Sequence, residues 1–260
     1  MTGWDADLRL ALDLADAADE ITVARFGSRD LVVERKPDLT PVTDADRAVE
    51  QQLRDRLSRE RPDDAVIGEE YGEGGSAPRR WIIDPIDGTK NFVRGVPIWA
   101  TLIALQADDH VVVGAVSAPA LHRRWWAASG AGAWVQVGQR DPTRCRASAV
   151  TSLDDASLSY ASIGGWREAG RFDGFMALLG RVWRTRAYGD FWSHMLVAEG
   201  AVDVACEPEV SLWDLAALQV IVEESGGRFT DLTGVARPDG GSAVSSNGLL
   251  HDDVLAVLRP

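Results

Sequence analysis

Apolar residues open the chain with a helical rhythm. Leu8, Leu12, Ala15, Ala18 and Phe26 recur at roughly helical spacing and predict an amphipathic first helix. A second helix is predicted from Thr43. Thr43 and Asp46 stand at the spacing of a capping pair, with Asp in place of the usual Glu, and Val49, Leu53 and Leu57 share one face. Pro62 ends it. The rhythm then shortens. Ala65-Val66-Ile67 and Trp81-Ile82-Ile83 read as buried strands, each running directly into acid. Residues 100–106 and 111–116 read as a hairpin across Ala107-Asp108-Asp109-His110, and 124–128 and 133–137 continue an antiparallel sheet. A helix over about 190–199, a strand over 202–206 and a helix over about 214–224 follow, the last stopped by Gly226-Gly227. Helices and mixed strands alternating in this way predict a layered α/β sandwich rather than a doubly wound parallel sheet.

Composition narrows the class. A chain of 260 residues, 45% apolar, is sized for one large domain with a substantial core. No run approaches the roughly 20 apolar residues of a membrane span, and the start lacks a secretory pattern, so a cytoplasmic protein without a membrane partner is expected. Cys145 and Cys206 are far apart, have no partners at metal-ligand spacing and read as free thiols. A formal charge of -13 argues against nucleic acid, because the densest basic runs, Arg123-Arg124 and 181–186, are short. An acidic protein that handles a phosphorylated substrate needs bound divalent cations to offset its own field.

The acids are placed accordingly. Asp46, Glu69-Glu70, Asp84 with Asp87, and Asp214 each stand where an apolar strand or turn ends or a helix begins. Pro85 stiffens the exit from Trp81-Ile82-Ile83, and Asp87 follows Asp84 so closely that each carboxylate raises the other's pKa unless a cation lies between them. Hard oxygen donors without Cys or His suit Mg²⁺ or Mn²⁺ better than zinc, and the Ile86 carbonyl would add a neutral oxygen. Gly88-Thr89 can bring free backbone amides against a phosphate if a helix starts there. The competing reading is a plain Asp-Pro-x-Asp-Gly surface turn.

Ile67-Gly68-Glu69-Glu70, then the run from Trp81 through Asp84-Pro85-Ile86-Asp87-Gly88-Thr89 to Phe92, then Trp213-Asp214, resemble the three motifs of the inositol monophosphatase superfamily, in order and over nearly the whole length. The resemblance implies an αβαβα sandwich of the inositol monophosphatase and fructose-1,6-bisphosphatase type, with a metal-site half over about 1–140 and a substrate-side half over about 141–260. It implies metal-assisted attack of water on a phosphate monoester. Glu69, Asp84 and the Ile86 carbonyl would hold one Mg²⁺, and Asp84, Asp87 and Asp214 a second. Asp46 with Glu69 would reach a third through water. Asp46 and Thr89 would orient and deprotonate the attacking water, while Asp87, Gly88 and Thr89 would face the phosphate. Lithium inhibition and a homodimer, with Trp99 as a possible contact, belong to the same expectation.

The alcohol side must come from other residues. Inositol phosphatases carry a small residue where Asp190 stands, and a carboxylate there, with Glu207, suits a cationic amino alcohol bearing an imidazole. Residues 36–46, 91–97 and 186–191 also resemble the actinobacterial histidinol-phosphate phosphatase branch, with an inositol-1-phosphatase or another small-molecule phosphatase as the alternative. Arg186 could face substrate or pair with a structural acid, Asp190 could cap a helix, and Glu207 could be a solvated loop acid.

Overall fold

The computed structural model describes residues 3–37 and 39–259. Helix α1 (Asp5–Arg25) leads through β1 (Val33–Arg35) and β2 (Pro41–Thr43) into α2 (Asp44–Glu60). Strands β3 (Ala65–Gly68), β4 (Gly72–Gly74) and β5 (Arg79–Asp87) precede the short α3 (Thr89–Val93). The meander β6 (Ala100–Ala107), β7 (His110–Ala118), β8 (Arg123–Ala128), β9 (Gly132–Val137) and β10 (Thr143–Arg144) completes a mixed eight-stranded sheet in the order β10-β9-β8-β7-β6-β5-β3-β4. The remaining chain supplies β11 (Ser157–Ser159), α4 (Ile163–Glu168), α5 (Phe172–Arg181), β12 (Arg184–Arg186), α6 (Asp190–Ala198), β13 (Val204–Glu207), α7 (Leu212–Glu224), β14 (Arg228–Thr230), β15 (Ala243–Ser246) and α8 (His251–Leu258). Its five strands pair in the order β12-β11-β13-β15-β14.

Three apolar cores bind the layers. Helices α1 and α2 cover one face of the large sheet through Leu14, Leu53, Trp81 and Ile103. Helices α6 and α7 fill the space between the two sheets through Phe191, Met195, Leu218 and Ile221. Helices α5 and α8 cover the far face of the small sheet through Phe175, Leu178 and Val254. The result is the layered αβαβα sandwich, with α7 apolar nearly all round because both its faces are covered.

Two expectations about packing change. The buried stripe of α1 is Leu10, Ala11, Leu14, Ala15 and Ala18, while Leu8 and Leu12 sit half-buried at its edge. Phe26 lies past the end of α1 and stacks against Phe92 and Trp99, at ring separations of 5.4 and 5.3 Å. That cluster fully encloses Trp99, so Trp99 is a core residue and not a subunit contact. Trp125 is fully buried against the inner layer and Trp126 half-buried on the opposite face, as alternation along β8 requires. Both cysteines are buried free thiols. Among the described residues no helix is long and apolar enough to cross a membrane.

Candidate active site

Strand β5 delivers two acids to one place by breaking its own register. Asp84 pairs with Leu102 and Asp87 with Ala100, so Pro85 and Ile86 together oppose Thr101 alone. Residues three apart on a regular strand face opposite ways; the extra residue of the bulge turns Asp87 to the side of Asp84. Pro85 suits this position because it has no amide to leave unpaired, and its carbonyl accepts from Thr101 Oγ1 at 2.8 Å. The displaced amide of Ile86 donates to Asp84 Oδ1 at 2.9 Å.

Asp214 arrives from the other half of the chain. It is the third residue of α7 and forms a reciprocal capping box with Ser211, whose amide donates to Asp214 Oδ2 at 2.7 Å. Carboxylate oxygens of Asp84, Asp87 and Asp214 all lie within 4.8 Å of one another. Glu69, on the β3–β4 connection, stands near enough to Asp84 to raise its carboxyl pKa. Its amide donates to Ile83 O at 3.3 Å and extends the parallel β3–β5 pairing.

Asp46 caps α2 with Thr43, accepting from the Thr43 amide at 2.8 Å and hydroxyl at 2.5 Å through Oδ2. Its other oxygen faces Thr89 Oγ1 at 3.4 Å, and the same hydroxyl lies 3.0 Å from Ile86 O. Gly88 introduces α3 at φ 83°, a left-handed backbone with Ile98 O only 2.9 Å from where a Cβ would stand. The surface turn proposed for this hexapeptide is excluded, since Asp84, Pro85 and Ile86 are buried.

Asp190 and Glu207 converge on this cluster and Arg186 does not. Asp190 adopts φ 50° after Gly189, makes no helix-capping bond and accepts from Asn91 Nδ2 at 3.1 Å. Glu207 ends β13 and is 6% exposed, so it is not a solvated loop acid. Arg186 is exposed on the edge strand β12, where its guanidinium donates to Thr185 O at 2.7 Å. Lys36 was given no role by sequence reasoning, yet its Nζ lies 2.7 Å from both Glu69 and Glu70. A lone lysine ahead of an acidic stretch was the available signal.

A cavity of about 570 Å³ opens over Glu69, Gly88, Thr89, Asp190 and Asp214. A second, of about 260 Å³, shares Asp190 and Asp214 and runs past Asp87 to Glu207, Glu209 and His194.

Residues 4–259 match the inositol monophosphatase family. The chain belongs to that family. A histidinol-phosphatase of Mycobacterium tuberculosis is 61% identical over 97% of this chain and 98% of its own length. One from Streptomyces coelicolor is 57% identical over 97% of each chain. Among solved structures, a Thermotoga maritima IMPase superposes with a TM-score of 0.86 at 31% identity, covering 97% of this chain and 96% of that one. The protein is thus a phosphomonoesterase of a metal-dependent family.

The donors of this inositol monophosphatase family member fit a metal. Burial, then the nearby Glu69, Asp87 and Asp214, pushes the Asp84 carboxyl well above its ordinary range. Burial, then Asp190 and Asp214, does the same to Asp87. Burial raises Asp214 to about 6 and Asp46 to about 6, each against the opposing pull of its capping bonds. Among the described residues no Lys or Arg forms an ion pair with Asp84, Asp87 or Asp214. Lys36 reaches only the rim, at Glu69 and Glu70. Asp46, Asp84, Asp87 and Asp214 each commit one oxygen to a backbone amide, and the other oxygen of Asp46 meets the Thr89 hydroxyl at 3.4 Å. Buried, hard and otherwise uncompensated oxygens suit a divalent cation.

Proposed function

We propose that this phosphatase hydrolyses L-histidinol phosphate to L-histidinol and phosphate with Mg²⁺, Mn²⁺ being a workable substitute. Glu207 carries the reading. It is 6% exposed, its Oε1 has no hydrogen-bond partner, and it lines the smaller cavity together with Asp190 and Glu209. Burial, then Asp190 and Asp214, pushes its carboxyl well above the ordinary range. A buried, unpartnered carboxylate favours an occupant that brings a cation, as an amino alcohol does and a neutral polyol does not. The names of the two actinobacterial relatives support the same substrate.

In this reading Glu69, Asp84 and the Ile86 carbonyl would hold one ion, Asp84, Asp87 and Asp214 a second, and Asp46 with Glu69 a third through water. Mg²⁺ held there would neutralise the acids, lower the pKa of the attacking water and stabilise charge on the leaving oxygen. The Thr89 hydroxyl has one proton and two acceptors, Ile86 O and Asp46 Oδ1. A ligand drawing on Ile86 O leaves that proton to Asp46, and the hydroxyl oxygen can then take a proton from water. The water oxygen would bond to phosphorus as the ester P–O bond breaks, the water proton would pass through Thr89 Oγ1 to Asp46 Oδ1, and the departing alkoxide would take its proton from solvent water. The amides of Gly88 and Thr89, together with Asp87, would face the phosphate.

The test compares catalytic efficiency on histidinol phosphate and inositol 1-phosphate at saturating Mg²⁺. A higher value for inositol phosphate would overturn the substrate and leave the phosphatase. The homodimer rests on family likeness; light scattering at the mass of a single chain would remove it.

A further inference from the structure

We propose that Glu50 is a positioning residue for the metal site, its carboxylate clamping the β3–β4 connection on which Glu69 stands. The inference rests on Glu69 being a metal ligand. Glu50 is fully buried on α2, one turn beyond Asp46 and on the same face. Its Oε2 accepts from the Glu70 amide at 2.7 Å and its Oε1 from the Tyr71 amide at 3.1 Å. Arg54, one turn further, donates to Glu50 Oε1 at 2.8 Å and also to Gly72 O.

These bonds close an otherwise open piece of backbone. Strands β3 and β4 pair in register up to Gly68 and Gly72, which leaves 69–71 outside the ladder. Glu50 supplies acceptors to two of those three residues, immediately after the ligand. Gly68 records the same contact from the other side. A Cβ there would stand 2.0 Å from Glu50 Oε1 and 2.3 Å from Cδ, so the carboxylate occupies the space of the missing side chain. A buried Glu–Arg pair alone would not need that glycine or those amides. Lys36 adds a second hold on the same pair, its Nζ 2.7 Å from both the Glu69 and Glu70 carboxylates. Helix α2 thereby carries both Asp46 and the fixture that aims Glu69, in one rigid element. Charge-assisted bonds from amides to carboxylate are strong enough to hold such a turn.

Calorimetric titration with Mg²⁺ tests it on the full chain, with Glu50→Gln, Gly68→Ala and Glu69→Gln beside the native protein. Gln keeps one acceptor but turns an NH₂ toward a backbone N–H; the alanine methyl displaces the carboxylate while leaving every charge in place. Both should weaken Mg²⁺ binding by about 10-fold or more, the range for lost outer partners of metal ligands. Half-saturating Mg²⁺ for activity should rise in parallel, with substrate KM at saturating Mg²⁺ little changed. Hydrogen exchange in the native protein, which needs no variant to fold, should find the Glu70 and Tyr71 amides strongly protected. Native-like Mg²⁺ binding by Glu50→Gln, or free exchange at those two amides, overturns the clamp. If Glu50→Gln binds normally while Glu69→Gln does not, only the clamp falls. If Glu69→Gln also binds normally, the assignment of Glu69 falls with it.

Discussion

Asp84, Asp87 and Asp214 each have one carboxylate oxygen held by a backbone amide, and Asp87 and Asp214 line the cavities of the site. Asp87 shows what this arrangement predicts. Its Oδ2 accepts from the Phe191 amide at 2.6 Å, a bond that the oxygen of asparagine can keep. Asp87→Asn should therefore fold, and its melting temperature in chelator should equal or exceed that of the native protein, because repulsion from Asp190 and Asp214 is relieved. Turnover should fall by more than about 100-fold, the upper end of what loss of an outer partner costs a metal site. Near-native activity would take Asp87 out of the ligand set. Asp190 has no capping bond to lose. Asp190→Ser should lower catalytic efficiency on histidinol phosphate by roughly 10- to 100-fold, the equivalent of one charged hydrogen bond, while glycerol 2-phosphate changes little. Equal losses on both substrates would deny it a role in specificity.

Among the elements, α7 matters most because it links both sheets and carries Asp214. It lies against β7 so closely that a Cβ on Gly114 would stand 2.6 Å from Ala217 O and 2.7 Å from Val220 Cγ1. Gly114→Ala should cost about 1–3 kcal/mol in chemical denaturation, as overpacking does, and should weaken Mg²⁺ binding by shifting the start of α7. Normal stability would show that the helix can move freely. Helix α8 offers a cleaner pH probe, far from the cluster. His251 is enclosed between Thr230 and Ser246, at 2.8 and 2.9 Å, and burial lowers its pKa from 6.5 to about 4. The fold favours the neutral ring, so its contribution is intact above about pH 6.5 and is lost as pH falls toward 4. His251→Gln should therefore lie furthest below the native protein in stability near pH 7, with the gap closing by up to about 1.4 kcal/mol per pH unit below 6.5. A gap independent of pH would mean that the ring is not buried neutral.

For the whole molecule, the controlling fact is a net charge of -13 concentrated in part around an uncompensated acidic centre. A cation that binds the folded state alone stabilises it by mass action. Thermal melts at pH 7.5 should rise with Mg²⁺ and fall back on chelation, and Asp87→Asn should lose most of that response. A melting temperature indifferent to Mg²⁺ would argue that these carboxylates are not a metal site.

The sequence by itself determined what is local. Thr43 and Asp46 announce the start of α2, alternation sends Trp125 and Trp126 to opposite faces, and the motif acids stand at the ends of elements where backbone amides can hold them. Sequence likeness also carried the family. Tertiary structure decided whatever depends on distant partners. The predicted face of α1 holds at Ala15 and Ala18, but the period admits neighbouring stripes, and Leu10, Ala11 and Leu14 rather than Leu8 and Leu12 complete the face under the sheet. Trp99 looked available until Phe26 and Phe92 enclosed it. Arg186 looked close to Asp190 in sequence, but β12 lies at a sheet edge and directs it elsewhere. The bulge at Pro85-Ile86 turns two acids to one side only because β6 fixes the register across from it, and the carboxylate of Glu50 reaches the turn after β3 through space that Gly68 leaves empty. Periodicity reports which residues prefer burial; it carries no information on which distant backbone will be there to meet them.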